Sequence, residues 1–246
     1  MKTKVCEVCG YNLPQNGGSC RVCRNSDQWE DYKDAELESL FSRRISKNLQ
    51  DLNISVNEDD LSVIKSGKGL FLFGDAGSGK TLYSCAVAFE YLRRCFIYPD
   101  YPKEPEIKFV SIPNLLEEIK ASFSNNQSTQ IPQRSTNDIL EHYSNLDFLI
   151  LDDLGTEQTT DWSLNILRMI INNRYENLLR TIITSNLDLE ELSVQVDDRV
   201  SSRISEMCQI IDFGDYDYRL NPIPVKKTKN TKNTKNTKKT KIKRRK

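Results

Sequence analysis

Residues 70–81 read LFLFGDAGSGKT: an apolar run that gives way to eight residues, 74–81, satisfying G-x-x-x-x-G-K-[ST] at every position. A strand-like stretch in front and a helix-patterned stretch behind make this string a phosphate cradle. Its glycines let the main chain approach a triphosphate and turn successive N–H groups toward it, which residues with a Cβ rarely allow. The helix that follows adds the positive end of its dipole. Gly74, Asp75, Ala76, Gly77, Ser78, Gly79, Lys80, Thr81 and Leu82 form the candidate binding run for ATP. Within it Lys80 reaches the β- and γ-phosphates, and the Thr81 hydroxyl ligates the accompanying Mg²⁺.

Downstream, strand and helix patterns alternate. Leu82, Cys85, Ala86, Phe89 and Leu92 mark one helical face, residues 107–112 (IKFVSI) a strand, and Leu115, Leu116, Ile119 and Phe123 a second helix. Residues 125–137 are polar and predict a mobile loop. Residues 148–153, FLILDD, place four apolar residues before two acids, as a buried parallel strand delivering carboxylates to its C-terminal edge should. Asp152 is the candidate for the Mg²⁺ shell through water, and Asp153 for orienting or deprotonating the attacking water; the competing reading is an N-cap pair before the next helix. Leu164, Leu167, Ile171, Tyr175 and Leu178 predict a third helix, and residues 181–184 a further strand ending at Ser185 and Asn186. Asn186 is a candidate for positioning water and sensing hydrolysis, or else a residue chosen for the turn into a helix at Asp188. The fold class expected is α/β, a parallel sheet with right-handed crossovers and the phosphate site at its carboxyl edge.

Four of the seven cysteines fall within the first 23 residues as Cys6-x-x-Cys9 and Cys20-x-x-Cys23. Two such doublets complete a tetrahedral S₄ site, so a structural Zn²⁺ is expected, with Gly10, Gly17 and Gly18 supplying tight turns. Cys85, Cys95 and Cys208 read as buried small apolar residues. Across 27–51, Leu37, Leu40, Phe41, Ile45 and Leu49 recur at helical spacing, either to pack on the body or to grip a partner. Of 35 basic residues, twelve lie in 226–246 with no acid among them, leaving 23 against 35 acids elsewhere. That tail is a three-residue repeat without a core, expected to be disordered and either to contact DNA phosphates in a salt-dependent way or merely to solubilise. His142, the lone histidine, reads as structural. The absence of a long apolar run or leader pattern predicts a cytoplasmic protein without disulfides or membrane contact.

The cradle, LILDDLG (149–155), INNRYENLLRTIITSNLDLEEL (171–192) and DRVSSRISEM (198–207) together resemble the DnaC/DnaI/IstB branch of AAA+ ATPases over roughly 69–219, and FVSIPNLLEEIKASF (109–123) resembles the segment these proteins carry after the first helix. The resemblance implies a P-loop ATPase that forms a homo-oligomer through its nucleotide site. It matches Arg199 to the arginine presented to a neighbour's ATP, with Arg203 one turn further on, and Arg219 to the second sensor acting within the same subunit. After a last strand at 209–213, only 214–225 precede the tail, which leaves no room for a full helical lid and fits this branch. The expected organisation is a zinc module at 1–26, a helical linker or partner-binding segment at 27–60, the ATPase domain at 61–220 and the tail at 221–246. The function implied is ATP-driven loading of a replicative helicase onto single-stranded DNA. The alternatives are an IstB-like transposition helper and a zinc-dependent adaptor whose nucleotide site is a switch.

Overall fold

The computed structural model describes residues 6, 9, 20–52, 54–102, 105–124, 135–156 and 160–220. The glycines expected to turn the zinc module, residues 125–134 of the polar stretch and the lysine-rich tail lie outside the described residues.

Residues Gly69–Phe73 (β1), Ile107–Ser111 (β2), Phe148–Leu154 (β3), Arg180–Ser185 (β4) and Cys208–Asp212 (β5) form one sheet in the order β2-β3-β4-β1-β5. Every pairing is parallel. Both faces are covered, so the central strands are apolar throughout rather than alternating. Phe71, Leu149, Leu151 and Ile183 face α5 (Ile112–Ser124), α6 (Thr136–Asn145), α7 (Asp161–Glu176) and α9 (Asp198–Met207) through Leu115, Ile119, Ile170 and Ile204. Leu70, Leu72, Phe148, Ile150 and Ile182 face the opposite way, onto Cys85, Ala88 and Tyr91 of α4 (Lys80–Ile97). Burying each such large side chain contributes roughly 1.5–3 kcal/mol.

Outside α4 lie α1 (Arg21–Leu40), α2 (Arg43–Leu52) and α3 (Glu58–Lys65). Trp29 of α1 is 2% exposed and packs against Phe89 and Phe96 with ring centroids 5.3 and 5.5 Å away. The Asn25 amide donates to the Phe96 carbonyl at 3.0 Å, closing the C-terminal end of α4. Thus α4 is enclosed by sheet on one side and α1–α3 on the other.

Three sequence expectations are corrected. The amphipathic stretch 27–51 is two helices, broken at Phe41 and Ser42; Phe41 is extended and buried, and Ser46 Oγ donates to the Leu37 carbonyl at 2.8 Å across the break. Its apolar face packs on the body, since Leu37 and Phe41 belong to the α4 core. Residues 135–137 of the polar stretch start α6, where Ser135 and Asp138 form a capping box. Leu178 lies beyond α7: φ is 52 and the side chain is exposed, in the turn that feeds β4. The last turn of α7 instead sends Arg174 inward, with no exposed surface, where it donates to the Tyr143, Leu146 and Arg180 carbonyls and the Thr181 hydroxyl. No helix among the described residues is long and apolar enough to cross a membrane.

Candidate nucleotide site

The loop after β1 turns at Gly74 (φ 136), Gly77 (φ 87) and Gly79 (φ 97), three left-handed positions that a Cβ would strain. Gly79 is the N-cap of α4, so Lys80 and Thr81 open that helix. The Lys80 ammonium donates to the Gly74 and Asp75 carbonyls at 2.6 and 2.8 Å and to Ser78 Oγ at 3.3 Å. Burial lowers its pKa, while the charges of Asp153, Asp152 and Asp75 pull the other way. Asp75 and Ala76 lie in the loop, and Leu82 in the first turn of α4.

The acids stand two strands away from the cradle, on β3, with β4 between them. Asp152 is 5% exposed. Burial pushes its pKa up to about 6; the Thr184 and Thr81 hydroxyls and the Lys80 ammonium offset part of this, and Asp153 adds to it. A buried carboxylate beside a threonine hydroxyl is a hard oxygen donor set, suited to a Mg²⁺ that keeps most of its water. Asp153 adopts φ 62, and its N–H donates to Thr184 Oγ1 at 2.9 Å. Asn186 is exposed just past β4, between the acids and the cradle in strand order, and its side chain makes no hydrogen bond among the described residues.

The chain after β5 runs back over the cradle. Phe213 N–H donates to the Phe73 carbonyl at 2.8 Å, Asp75 N–H to the Gly214 carbonyl at 3.0 Å, and Tyr218 N–H to the Gly77 carbonyl at 3.1 Å. A Cβ on Gly77 would lie 2.1 Å from Asp217 Oδ1. Arg219 is exposed at the end of this strap, and its charge reaches Lys80.

The remaining candidates lie on α9. Asp197 caps its N-terminus, accepting the Val200 N–H at 3.0 Å, and pairs with Arg168. Arg199 follows, exposed and without an ion pair among the described residues. Arg203 lies over the Tyr175 ring, 4.5 Å from its centroid, and is therefore occupied within its own chain.

At the N-terminus, the Sγ atoms of Cys6, Cys9, Cys20 and Cys23 all lie within 4.8 Å of one another. Tetrahedral ligation at a Zn–S distance of about 2.3 Å needs sulfurs about 3.8 Å apart, and the Cys6–Cys23 and Cys9–Cys20 separations are 3.8 and 3.4 Å. As free thiols they crowd one another: hydrogen bonding from Cys9 and burial push Cys23 up to about 12. The donor set fits a closed zinc site. Cys20 is the N-cap of α1, which runs without a break across residue 26 and onto α4.

Thr184 and Asp217 were not among the sequence candidates. Thr184 left a signal, a hydroxyl at the end of a strand otherwise built from Ile182 and Ile183. Asp217 left none, since only the folded strap brings it to Gly77.

A model of the family described as IstB-like ATP binding protein matches residues 35–224. Among curated proteins, the phage-like element PBSX protein XkdC of Bacillus subtilis (strain 168) is 31% identical over 142 residues, 56% of this chain and 46% of that protein. The replicative helicase loader DnaI of the same organism is 28% identical over 127 residues, 51% of this chain and 35% of that one. The matched part thus spans less than half the length of either relative. Among solved structures, the DnaC helicase loader superposes with a TM-score of 0.52 at 26% identity, over 70% of this chain and 99% of that chain.

Proposed function

The chain belongs to the IstB-like ATP binding protein family, a helicase-loader-like branch of AAA+ proteins, and from that premise we propose that it is an ATPase that loads a replicative helicase onto single-stranded DNA. The supporting observation is the convergence of Lys80, Thr81 and Asp152 at one carboxyl edge of the sheet, with the charge of Asp153 acting on the same lysine. The loop N–H groups and Lys80 would hold the phosphates, and Thr81 and Asp152 would hold a Mg²⁺, which when bound would supply positive charge beside the phosphates. Asp153 orients or deprotonates the attacking water, and Asn186 positions it. Arg199 serves the ATP of a neighbouring copy in a homo-oligomer, a role contributing roughly 10³- to 10⁵-fold in rate, while Arg219 acts within its own chain. The cysteine tetrad would hold a structural Zn²⁺.

Turnover and partner capture test the reading. Asp153→Asn should lower turnover by about 10² or more while leaving MgATP affinity within a few-fold. The full chain should retain a replicative helicase in a pull-down and hydrolyse ATP faster when single-stranded DNA is added. The family's IstB designation favours a second reading, transposition helper, and recovery of a transposase in place of the helicase would select it. Wild-type protein that binds MgATP but shows no turnover stimulated by DNA or partner would refute both in favour of a nucleotide-switched adaptor.

A further inference from the structure

Between Leu151 and Leu154, β3 advances three residues while β4 advances two, from Ile183 to Ser185. The surplus residue falls in the acid pair, and Asp153 absorbs it in the left-handed region at φ 62. Such a bulge re-aims a side chain, and left-handed backbone at a residue with a Cβ persists only where its surroundings hold it. One side chain meets both acids. The Thr184 hydroxyl donates to Asp152 Oδ1 at 2.7 Å and accepts the Asp153 N–H at 2.9 Å. Thr184 has no exposed surface, so water cannot take over either bond. Its neighbour fastens the exit: Ser185 Oγ donates to the Leu154 carbonyl at 2.7 Å and accepts the Leu187 N–H at 3.0 Å. Packing alone does not call for a hydroxyl here, because a fully buried position following Ile182 and Ile183 suits valine equally well in shape.

We propose that Thr184 is the positioning residue of the acid pair: its hydroxyl holds the Asp152 carboxylate and, through the Asp153 N–H, holds the bulge that carries Asp153. This rests on the nucleotide reading above. Outer partners of this kind typically change metal affinity or activity about 10- to 100-fold when removed.

Thr184→Val keeps the shape and deletes the hydroxyl, whereas Thr184→Ser keeps the hydroxyl. The full chain is titrated with a fluorescent ATP analogue, first in EDTA and then with added Mg²⁺, and kcat is measured at saturating MgATP. Thr184→Val should bind the analogue in EDTA within about twofold of wild type, because the cradle is untouched. It should need at least about tenfold more Mg²⁺ for its half-maximal effect and lose about 10- to 100-fold in kcat, and Thr184→Ser should recover both to within about threefold. A valine variant with wild-type Mg²⁺ requirement, or a serine variant as impaired as valine, overturns the proposal. If the valine variant does not fold, Thr184→Ala set against Thr184→Ser makes the same comparison. A wild-type chain that binds MgATP without hydrolysing it refutes the ATPase reading, and the Mg²⁺ requirement of the variants still decides the role of Thr184.

Discussion

Replacing Asp152 by Asn should make the nucleotide-free protein more stable, although it removes a residue the proposed function depends on. Asp152 is buried, and its pKa stands at about 6 against an ordinary 3.8. At about 1.4 kcal/mol per tenfold change in proton affinity, keeping it ionised above that value costs the fold about 3 kcal/mol. Asn preserves the shape and still accepts from the Thr184 hydroxyl, while its own amide burial offsets part of the gain. A net of about 2 kcal/mol remains, or about 4–8 °C in Tm for a chain of this size. The sign with pH follows from the raised pKa. Below about pH 3 the carboxyl is protonated in both folded and unfolded chains and the advantage of Asn vanishes; it grows between about pH 4 and about pH 6 and is complete above about 7. Urea denaturation of both proteins without nucleotide, at about pH 7.5 and about pH 5, measures this. Wild type should regain ground with MgATP, since ligand at about 100 times its Kd adds about 2.7 kcal/mol to whichever form binds it. An Asn variant less stable than wild type at neutral pH, or an advantage that does not shrink on acidification, would refute the burial argument.

Arg174→Met should lower stability by about 2–4 kcal/mol in urea, because it orphans the carbonyls that end α6 and the Arg180 carbonyl; a loss under about 1 kcal/mol would mean those carbonyls find other donors. Purified protein should carry about one zinc per chain by elemental analysis, and Cys23→Ser should abolish it and open the start of α1 to proteolysis while MgATP binding persists. Gly77→Ala should weaken MgATP binding by about tenfold or more, through both its left-handed backbone and its clash with Asp217 Oδ1. Adding Asp217→Gly should restore part of that affinity, the part due to the clash; no restoration would locate the whole effect in the backbone.

The cradle was legible in the sequence because phosphate binding constrains nearly every one of its eight positions, and FLILDD because a strand buried on both faces leaves an uninterrupted apolar run. Register was not. The bulge at Asp152 and Asp153 exists only relative to Ile183 and Ser185, thirty residues downstream in the chain, so the hydroxyl that holds it could not be recognised as part of the site. Helical periodicity misled at both ends of its use. It ran through the break at Phe41 because two helices joined by only two residues keep nearly the same apolar phase, and past the end of α7 to Leu178 because counting by threes and fours carries no stop signal. Zinc spacing, by contrast, is local chemistry, and the four sulfurs gather although the chain between them carries little apolar content.

The strap that crosses the cradle is fastened by main-chain atoms at Asp75, Gly77 and Gly214. Amino-acid replacement along residues 215–220 therefore leaves these main-chain bonds available, so the Asp217 and Arg219 side chains can be varied to test their roles while the strap keeps its path. The last described residue, Leu220, lies two positions past the strap's bond to the cradle at Gly77. A dye or affinity handle attached at Leu220 would therefore hang from the cradle's own strap, whereas one attached ahead of α1 would start at the cysteine cluster, at the opposite end of α4.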